Sequence, residues 1–450
     1  MNQWLKSDLR YNWHPYTQMK DCLELPPILI ERAKGLKLYD DKGNFYYDTI
    51  SSWWCNVHGH NHPKIKAAIK RQLDSLEHVL FAGFTHKPAI QLAEKLISIA
   101  PKNLSKVFFS DDGSTAVETA LKMSFQYWQN KGLERRKTKF VSLDRAYHGD
   151  TIGAMSVGGV DTFNRIFSPL LFNSFKAPSP YCYRCPVGKS KENCDIECIK
   201  PLETILKTKS KEIAGLVLEP LVMAAGGMII YPAEYLRRAA GLAKRYNAHL
   251  ILDEVATGFG RTGTMFACEH AQASEPDFIC LSKGITSGYL ALGATLTTER
   301  IYKAFYAEHE EKKTFYHGHT YTANPIACSA ALACLEIFEE EKTLERIKDV
   351  IPIFHSRLEE FKDLPLVGDV RHIGMIGALE LVKNKKTKEP FGFNERIGLE
   401  IYKEGLKRRL ILRPLGNITY LFLPLATNKR ELEYILDAVY STIKDGSNSD

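Results

Sequence analysis

The middle of the sequence alternates short apolar runs with segments of helical periodicity. A strand covered by helices on both faces is apolar on both sides, so it appears as a short uninterrupted apolar run. One helix is predicted at 114–131, directly after the first run. This alternation predicts an α/β fold with a mostly parallel sheet between helices. The predicted strands span 106–110, 139–143, 213–220, 249–255, 277–282 and 291–296.

The pattern changes near Asn324, where long amphipathic helices begin. Helices are predicted at 324–340, 341–362 and 428–444, with strands at 365–374, 375–382, 410–414 and 418–424 between the last two. A chain of this length exceeds one ordinary core, so we expect several domains. The predicted units are an N-terminal segment 1–60 that packs with the small domain, a large domain 61–323 with a cysteine-rich insertion at about 178–200, and a small α+β domain 324–450.

Charge and hydropathy exclude several classes of protein. The chain has 60 Lys and Arg against 53 Asp and Glu, a net charge of +7 spread along 450 residues. Such a weak field predicts no nucleic-acid partner. No window approaches the roughly 18 consecutive apolar residues of a membrane span, and the N-terminus lacks an apolar signal core. We therefore expect a cytoplasmic protein that does not enter a membrane.

Residues with useful chemistry follow several of the predicted strands. In an open α/β sheet, ligands bind beyond the carboxyl ends of the strands. Gly113 and Ser114 open a helix after the first strand, and free N–H groups at a helix start suit a phosphate, although a simple helix cap is the commoner role. Tyr147 and His148 follow the second strand. They could offer a flat face to a planar ring or simply pack beneath a loop.

Asp253 and Lys283 follow two predicted strands. A lysine amine forms a Schiff base with an aldehyde. Pyridoxal phosphate is such an aldehyde, and its ring nitrogen needs an anionic partner to stay protonated and to act as an electron sink. One lysine, one acid and one phosphate-binding helix start at the same edge of a sheet meet these demands together, so the sequence favours pyridoxal phosphate as cofactor.

The motifs resemble those of a known family. "LILDEVATGFGRTG" (250–263), with "LSKGI" at 281–285, is similar to the signature of the class III aminotransferases, which have the pyridoxal-phosphate-dependent transferase fold of type I. The likeness extends over nearly the whole chain. It implies a large domain with a seven-stranded, mostly parallel sheet and a smaller α+β domain. "WHPYTQMK", "SSWWCNVHGHNHP" and "YHGDTIGAMSVG" resemble the branch that aminates 8-amino-7-oxononanoate in biotin synthesis, usually with S-adenosylmethionine as donor.

This resemblance implies roles for the residues that match its motifs. Lys283 would bind pyridoxal 5'-phosphate covalently, with Asp253 at the ring nitrogen. The other implied cofactor contacts are Gly113 and Ser114 at the phosphate, Thr320 reaching it from the partner subunit, and Tyr147 and Val255 on the two ring faces. The implied substrate-binding residues are Tyr16, Trp53, Trp54, Tyr147, Arg261, Gly318 and Arg413. Arg413 is the natural carboxylate anchor, because a guanidinium binds a carboxylate bidentately. Sharing of Thr320 implies a homodimer.

The donor and the exact reaction stay open at the level of sequence. His319 stands where many relatives have proline, and "HGHTYT" is similar to the branch that includes enzymes with lysine as donor. Tyr16 and the Trp53–Trp54 pair instead resemble users of S-adenosylmethionine, which we favour. Another class III ω-aminotransferase is an alternative. A non-catalytic binding module is a third possibility, but Lys283 with Asp253 argues against it.

Four cysteines cluster in the predicted insertion. Cys182, Cys185, Cys194 and Cys198 have the spacing C-x2-C-x8-C-x3-C. Four thiolates at such a spacing could close around a structural Zn²⁺. The gap in the middle is shorter than in common zinc ribbons, and the implied reaction needs no metal. We therefore predict free thiols and no metal, with a structural metal site as the alternative.

Overall fold

The computed structural model describes residues 2–132, 136–190, 193–272 and 275–446. The helices are α1 (Gln3–Tyr11), α2 (Ser51–Trp54), α3 (Pro63–Leu73), α4 (Lys87–Ile99), α5 (Gly113–Lys131), α6 (Ile152–Val157), α7 (Asp161–Asn164), α8 (Lys200–Thr208), α9 (Ala233–Arg245), α10 (Glu299–Lys303), α11 (Pro325–Glu340), α12 (Thr343–Ile347), α13 (Ile351–Glu359), α14 (Ile397–Lys407) and α15 (Lys429–Gly446). The strands are β1 (Ile30–Lys34), β2 (Lys37–Asp40), β3 (Phe45–Asp48), β4 (Leu104–Ser110), β5 (Lys139–Leu143), β6 (Phe175–Ala177), β7 (Ile213–Leu218), β8 (Val222–Met223), β9 (Ile229–Ile230), β10 (His249–Asp253), β11 (Phe278–Leu281), β12 (Gly293–Thr298), β13 (Val367–Ile373), β14 (Ile376–Asn384), β15 (Glu389–Pro390), β16 (Leu410–Ile411) and β17 (Ile418–Phe422).

A seven-stranded sheet forms the centre of the fold, with the order β4-β12-β11-β10-β7-β5-β6. Only β12 runs antiparallel to its neighbours, β4 and β11. Every residue of β7, β10, β11 and β12 is buried, as expected for strands covered on both faces. The predicted α/β fold is therefore confirmed, and the six predicted strands all belong to this sheet. The sequence missed β6, an edge strand of three residues that is too short to show periodicity.

Parallel pairing of β10 with β11 sets the register at the centre of this sheet. Asp253 lies opposite Cys280, and the N–H of Glu254 donates to the carbonyl of Cys280 over 3.0 Å. Lys283 follows Cys280 by three residues. Because parallel strands end at the same edge, this register brings Asp253 and Lys283 to one edge of the sheet.

Helix α5 begins where β4 ends, and its start is capped from its own sequence. The Asp112 side chain accepts from the N–H of Thr115 over 2.9 Å, and the Thr115 hydroxyl accepts from the N–H of Asp112 over 3.0 Å. This capping box uses two of the N–H groups that a helix start would otherwise leave without partners. The helix ends at Lys131, and the φ of 73° at the following Gly132 is readily adopted by glycine.

Smaller sheets lie on the N- and C-terminal parts of the chain. Strands β13, β14 and β17 pair antiparallel. Strand β16, predicted among the C-terminal strands, pairs instead with β3 in the N-terminal sheet β1-β2-β3-β16. The Thr49 hydroxyl donates to the carbonyl of Ile411 over 2.7 Å, and its own carbonyl accepts from the N–H of Phe422 over 2.8 Å. The N-terminal segment therefore contacts the C-terminal part of the chain, while the domain boundaries stay predictions.

One predicted helix is wrong in its extent. The segment 341–362 forms two helices, α12 and α13, with a 3-10 turn after the second. Pro352 lies in the first turn of α13. Proline has no N–H to donate to a preceding turn, so it begins a helix more readily than it continues one. No helix in the described parts of the chain is both long and apolar enough to cross a membrane.

A buried ionic cluster joins the cysteine-rich segment to the sheet of β13 and β14. Arg371 donates from Nη1 to Glu380 over 2.8 Å and to Asp369 over 2.7 Å. From the cysteine-rich segment, Arg184 donates to Glu380 over 2.7 Å and the hydroxyl of Tyr181 donates to the same carboxylate. Residues 191 and 192 of the predicted insertion lie outside the described residues.

Replacing Glu380 with glutamine should destabilise the protein strongly. The change keeps the shape of the side chain but leaves buried Arg371 with one carboxylate fewer, and breaking a buried ion pair typically costs about 3 kcal/mol or more. The free energy of unfolding in urea measures the effect. Glu400→Gln is the control, because Glu400 forms an exposed pair with Lys403 and its replacement should change stability little. Equal stability of Glu380→Gln and the wild type would contradict the prediction.

Candidate functional site

A cavity of about 210 Å³ lies at the edge of the central sheet where β10 and β11 end. Seven of the predicted site residues line it: Gly113, Ser114, Tyr147, Asp253, Val255, Lys283 and Trp54. They come from five separate segments of the chain, so the sheet and its connections bring them together. This cavity is the candidate active site.

Asp253, the last residue of β10, is buried and held by two hydrogen bonds. Its Oδ1 accepts from the N–H of Val255 over 3.0 Å, and its Oδ2 lies 2.8 Å from Nδ1 of His148. The opposite nitrogen of this buried imidazole, Nε2, has no hydrogen-bond partner among the described atoms. These contacts orient the carboxylate, and no described lysine or arginine forms an ion pair with it, so it is available to a cationic group of a ligand.

Lys283 enters the same cavity from the turn after β11. Its φ is 46°, in the left-handed region that a non-glycine residue seldom adopts. The Nζ atom lies 4.5 Å from the ring centroid of Trp54. Desolvation lowers the pKa of the amine, and the nearby carboxyl groups of Asp253 and Glu219 only partly oppose this effect. The amine is therefore neutral, and nucleophilic, at a lower pH than an exposed lysine.

The start of α5 faces the cavity because two glycines permit close approaches. A Cβ atom on Gly113 would lie 2.6 Å from Cγ1 of Val255. A Cβ atom on Gly149, whose φ is 120°, would lie 2.1 Å from the hydroxyl of Ser114. Any larger residue would displace the helix start or its neighbours. The result is a narrow cradle around backbone N–H groups at the positive end of a 19-residue helix, which suits a phosphate.

The aromatic pair Trp53 and Trp54 lies on a left-handed turn, which we define as residues 51–54. Four successive residues have positive φ angles: Ser51 at 52°, Ser52 at 45°, Trp53 at 68° and Trp54 at 75°. Each costs roughly 1–2 kcal/mol relative to a right-handed conformation, so surrounding contacts must hold the turn. The ring of Trp54 stacks on Phe422 with centroids 5.6 Å apart.

Arg261 holds this turn from beneath and does not line the cavity. Its guanidinium is 1% exposed. It donates to the Ser51 hydroxyl over 3.1 Å, to the Trp54 carbonyl over 2.9 Å and to the Asn56 carbonyl over 2.8 Å. Burial lowers its pKa to about 10. Its Nη1 and Nη2 groups therefore hold the backbone beneath the pocket wall, and direct binding of substrate by Arg261 stays a prediction.

The outer part of the site contains the remaining predicted aromatic residues and Arg413. The hydroxyls of Tyr16 and Tyr147 both donate to Asp150, over 2.6 and 3.0 Å. Tyr16 also packs edge-on against Trp53, with ring centroids 5.5 Å apart. The guanidinium of Arg413 lies 4.7 Å from the ring centroid of Trp53, and Nη2 donates to the Tyr16 carbonyl over 3.3 Å. Among the described residues, no carboxylate forms an ion pair with Arg413.

Gly318 and Thr320 lie outside this cavity. Both are exposed and lie at the end of an irregular segment. The neighbouring His319 lies 2.9 Å from the carboxylate of Asp111, just before the start of α5. A contribution of Gly318 or Thr320 to an active site would therefore be made by a subunit other than the one that carries Lys283, and this stays a prediction.

Glu219 is a site residue that the sequence did not predict. It directly follows β7, lines the cavity and is buried. Its oxygens accept from the N–H of Tyr147 over 2.9 Å and of Ala224 over 3.0 Å. Desolvation and the nearby Asp253 raise its pKa to about 8. Its place after an apolar run, the same signal that singled out Asp253, could have identified it.

The cysteine cluster lies apart from the cavity. Burial, together with the nearby Cys182, Cys185 and Cys194, raises the pKa of Cys198 to about 12. The Sγ of Cys194 accepts from the N–H of Ile196 over 3.3 Å. Within the described residues, no three His, Cys, Asp or Glu side chains are arranged to hold a metal ion. The choice between free thiols and a structural metal site stays a prediction.

Comparisons with known proteins agree with this geometry. The model of the aminotransferase class-III family matches residues 19–443. The chain is 48% identical to the adenosylmethionine-8-amino-7-oxononanoate aminotransferase of Aquifex aeolicus, covering 98% of this chain and 97% of that protein. The crystal structure of the enzyme of that name from Methanocaldococcus jannaschii gives a TM-score of 0.93 at 44% identity, over 98% of both chains. An ω-transaminase from Pseudomonas jessenii in complex with PMP gives a TM-score of 0.94 at 32% identity, over 99% of both chains.

The lowered pKa of Lys283 predicts preferential labelling of this residue. In protein freed of bound small molecules, reductive methylation with formaldehyde should favour Lys283 over exposed lysines at pH ~8, and the preference should shrink towards pH ~10, where ordinary lysines also lose their proton. Peptide mass spectrometry measures the ratio against Lys244, whose side chain is 84% exposed. A ratio that does not change with pH would contradict the prediction.

Proposed function

The chain belongs to the class III aminotransferases, and we propose that it transfers an amino group to 8-amino-7-oxononanoate, giving 7,8-diaminononanoate for biotin synthesis, with S-adenosylmethionine as donor. The observation that carries the catalytic part is the enclosure of Lys283 and Asp253 in one cavity at the start of α5. The choice of reaction is supported by the names of relatives that match nearly the full length of the chain.

Class III aminotransferases use pyridoxal phosphate, and the residues of the cavity fit this cofactor. Gly113 and Gly149 allow close contacts with Val255 and Ser114 that a Cβ atom would prevent, and these contacts place the start of α5 at the cavity, where its N–H groups suit a phosphate. Lys283 offers the amine for an aldehyde, and Asp253 offers the anion for a ring nitrogen. When bound, the cofactor supplies a carbon that takes up the amino group and a ring that accepts negative charge.

In the proposed mechanism, Lys283 is the base that removes a proton from the substrate carbon bonded to nitrogen. Its Nζ lies in a poorly hydrated site, where it would act as the base when it is not bound to the cofactor. The lowered pKa lets Nζ accept a proton from the substrate carbon that carries nitrogen and return it during the same turnover. The ring of Trp54 lies against Nζ and limits the access of water to this proton.

The two carboxyl groups of the cavity have different proposed tasks. Glu219 has a pKa of about 8, so it is mostly protonated at neutral pH and adds little negative charge beside Asp253. Asp253 is fixed by His148 and by the N–H of Val255, so it can hold a positive charge on a ligand nitrogen without reorganising. Active sites commonly give two neighbouring carboxyl groups different environments and therefore different roles.

Arg413 is the proposed anchor for the substrate carboxylate. Its guanidinium stacks on Trp53 and has no carboxylate partner among the residues that the structure describes. A stacked guanidinium presents its remaining donors in one plane, which matches the two oxygens of a carboxylate. Tyr16 and Trp53 would pack against the apolar chain of the substrate.

We propose a homodimer in which each subunit completes the active site of the other. Thr320 would reach the phosphate of the other subunit's cofactor, and Gly318 would contact its substrate. Support comes from their exposed position near Asp111 and outside their own cavity. Exposed Tyr316 and Tyr321 flank them, as expected for a surface that another subunit covers. We also propose a cytoplasmic location, since Cys185, Cys194 and Cys198 lie close together as free thiols, which suits a reducing compartment.

Lysine is the alternative donor, and one assay separates the two. Purified protein with pyridoxal phosphate and 8-amino-7-oxononanoate should form the diamine with S-adenosylmethionine and not with lysine, as measured by mass spectrometry. Lys283→Ala should reduce the rate roughly 10²–10⁴-fold by removing the proton carrier. Turnover with lysine alone would overturn the choice of donor. Formation of no diamine with either donor would overturn the proposed function and favour another ω-aminotransferase.

Arg413→Lys tests the anchor. A lysine keeps the charge but loses the bidentate contact, so we expect the KM for 8-amino-7-oxononanoate to rise about tenfold with little change in kcat. The methyl ester of the substrate lacks the anionic carboxylate, and both proteins should use it equally poorly. Arg357→Lys, at an exposed pair with Glu360, is the control. An equal loss for acid and ester would show that Arg413 acts by packing alone.

A further inference from the structure

The left-handed turn at residues 51–54 carries both tryptophans of the site, yet no glycine favours its shape. Trp53 stacks against the guanidinium of Arg413, and Trp54 lies against Nζ of Lys283. A turn of four non-glycine residues with positive φ persists only if its surroundings enforce it. The contacts that enforce this turn therefore determine where both rings lie.

Asp48 makes the contacts that begin the turn. Its Oδ1 accepts from the N–H of Ser52 over 2.9 Å, and its Oδ2 accepts from the hydroxyl of Ser52 over 2.7 Å. His60 contacts the same Oδ2 through Nε2 at 2.8 Å. The carboxylate is 1% exposed, so water does not compete for these hydrogen bonds. Arg261 holds the other end of the turn at the carbonyl of Trp54.

The backbone of Asp48 is also tied to the segment that carries Arg413. Asp48 is the last residue of β3 and pairs with Ile411 of β16. Arg413 follows Ile411 by two residues. One strand pair therefore leads on one side to the turn with Trp53 and on the other to the guanidinium that stacks on Trp53. The side chain of Asp48 holds the turn that carries Trp53, and its backbone pairs with the strand that leads to Arg413.

We propose that Asp48 is a positioning residue for the substrate pocket, which sets the left-handed turn so that Trp53 and Arg413 meet the substrate in one geometry. Asp48 touches neither substrate nor cofactor. It acts through Ser52 on the shape of the turn, and through the turn on the aromatic wall. The expected change in KM rests on the proposed function, but the expected change in the position of Trp53 does not.

Asp48→Asn tests the proposal in the holoenzyme. The amide is nearly isosteric, but it cannot accept from all three donors at once. The KM for 8-amino-7-oxononanoate should rise about tenfold, equivalent to one charge-assisted hydrogen bond, while kcat and the absorbance of bound cofactor stay close to wild type. An unchanged KM would overturn the proposal.

Asp40→Asn is the matched control. Asp40 is also buried, and it accepts from two backbone N–H groups, those of Lys42 at 3.0 Å and Asn44 at 2.7 Å, but in a hairpin away from the cavity. Both variants should lose stability, and only Asp48→Asn should change KM. A similar rise of KM in both would show that general loss of stability, not the turn, is responsible.

A glycine at position 52 provides a rescue. Glycine adopts positive φ with no steric cost, so Asp48→Asn/Ser52→Gly should keep the turn without the carboxylate and recover most of the lost affinity. This double variant also addresses a failure of Asp48→Asn to fold. A KM as high in the double variant as in the single one would overturn the proposal, because a purely structural role of Asp48 predicts no rescue.

Fluorescence separates this proposal from the proposed function. The contribution of Trp53 is the difference between each protein and its Trp53→Phe counterpart. Acrylamide should quench this contribution more strongly in Asp48→Asn than in wild type or Asp40→Asn, whatever the substrate. Absence of diamine formation in wild type would end the proposed function, while unchanged quenching would end the role of Asp48.

Discussion

The structure depends on the parallel pairing of β10 and β11. This pairing places Asp253 opposite Cys280 and brings Lys283 to the same edge of the sheet. An amine and a carboxylate in one enclosed cavity oppose each other's desolvation, because each charged form stabilises the other. The amine still has a lowered pKa, so burial outweighs this attraction. An amine with a lowered pKa beside a fixed acid suits the chemistry of an aminotransferase, and the sheet brings the two groups together.

The rest of the site maintains shapes that the chain would not adopt alone. The turn at residues 51–54 is held in the left-handed region by Asp48 at one end and Arg261 at the other. Arg261 is buried at the cost of a lowered pKa, and its hydrogen bonds go to a hydroxyl and to backbone carbonyls. Strain and a buried charge are both destabilising. The strained turn and the buried guanidinium of Arg261 both lie beneath the pocket wall, and together they fix the positions of Trp53 and Trp54.

Much of the fold followed from local patterns. Runs of apolar residues predicted every strand of the central sheet except β6, and the residues after those runs included Asp253 and Lys283. Hydrophobic periodicity did not predict helix breaks, strand partners or hydrogen-bond partners, because these do not depend on it. The helix break before Pro352 lies within a continuous amphipathic pattern, and the pairing of β16 with β3 was not predicted because the sequence of one strand does not identify its partner. The hydrogen bonds of Arg261 to the turn at residues 51–54 were not predicted, since its motif gives no sign of which groups accept them.

The sequence by itself determined which residue types stand at strand ends, because burial on both faces of a parallel sheet requires apolar runs and leaves the polar residues just beyond them. It also determined the capped start of α5 through Asp112 and Thr115, which interact within one turn of chain. Only the tertiary structure decided the pKa values of Lys283 and Glu219, the cradle at Gly149 and the stacking of Arg413 on Trp53. These depend on atoms that are distant along the chain, and desolvation and contact exist only once the segments have packed together.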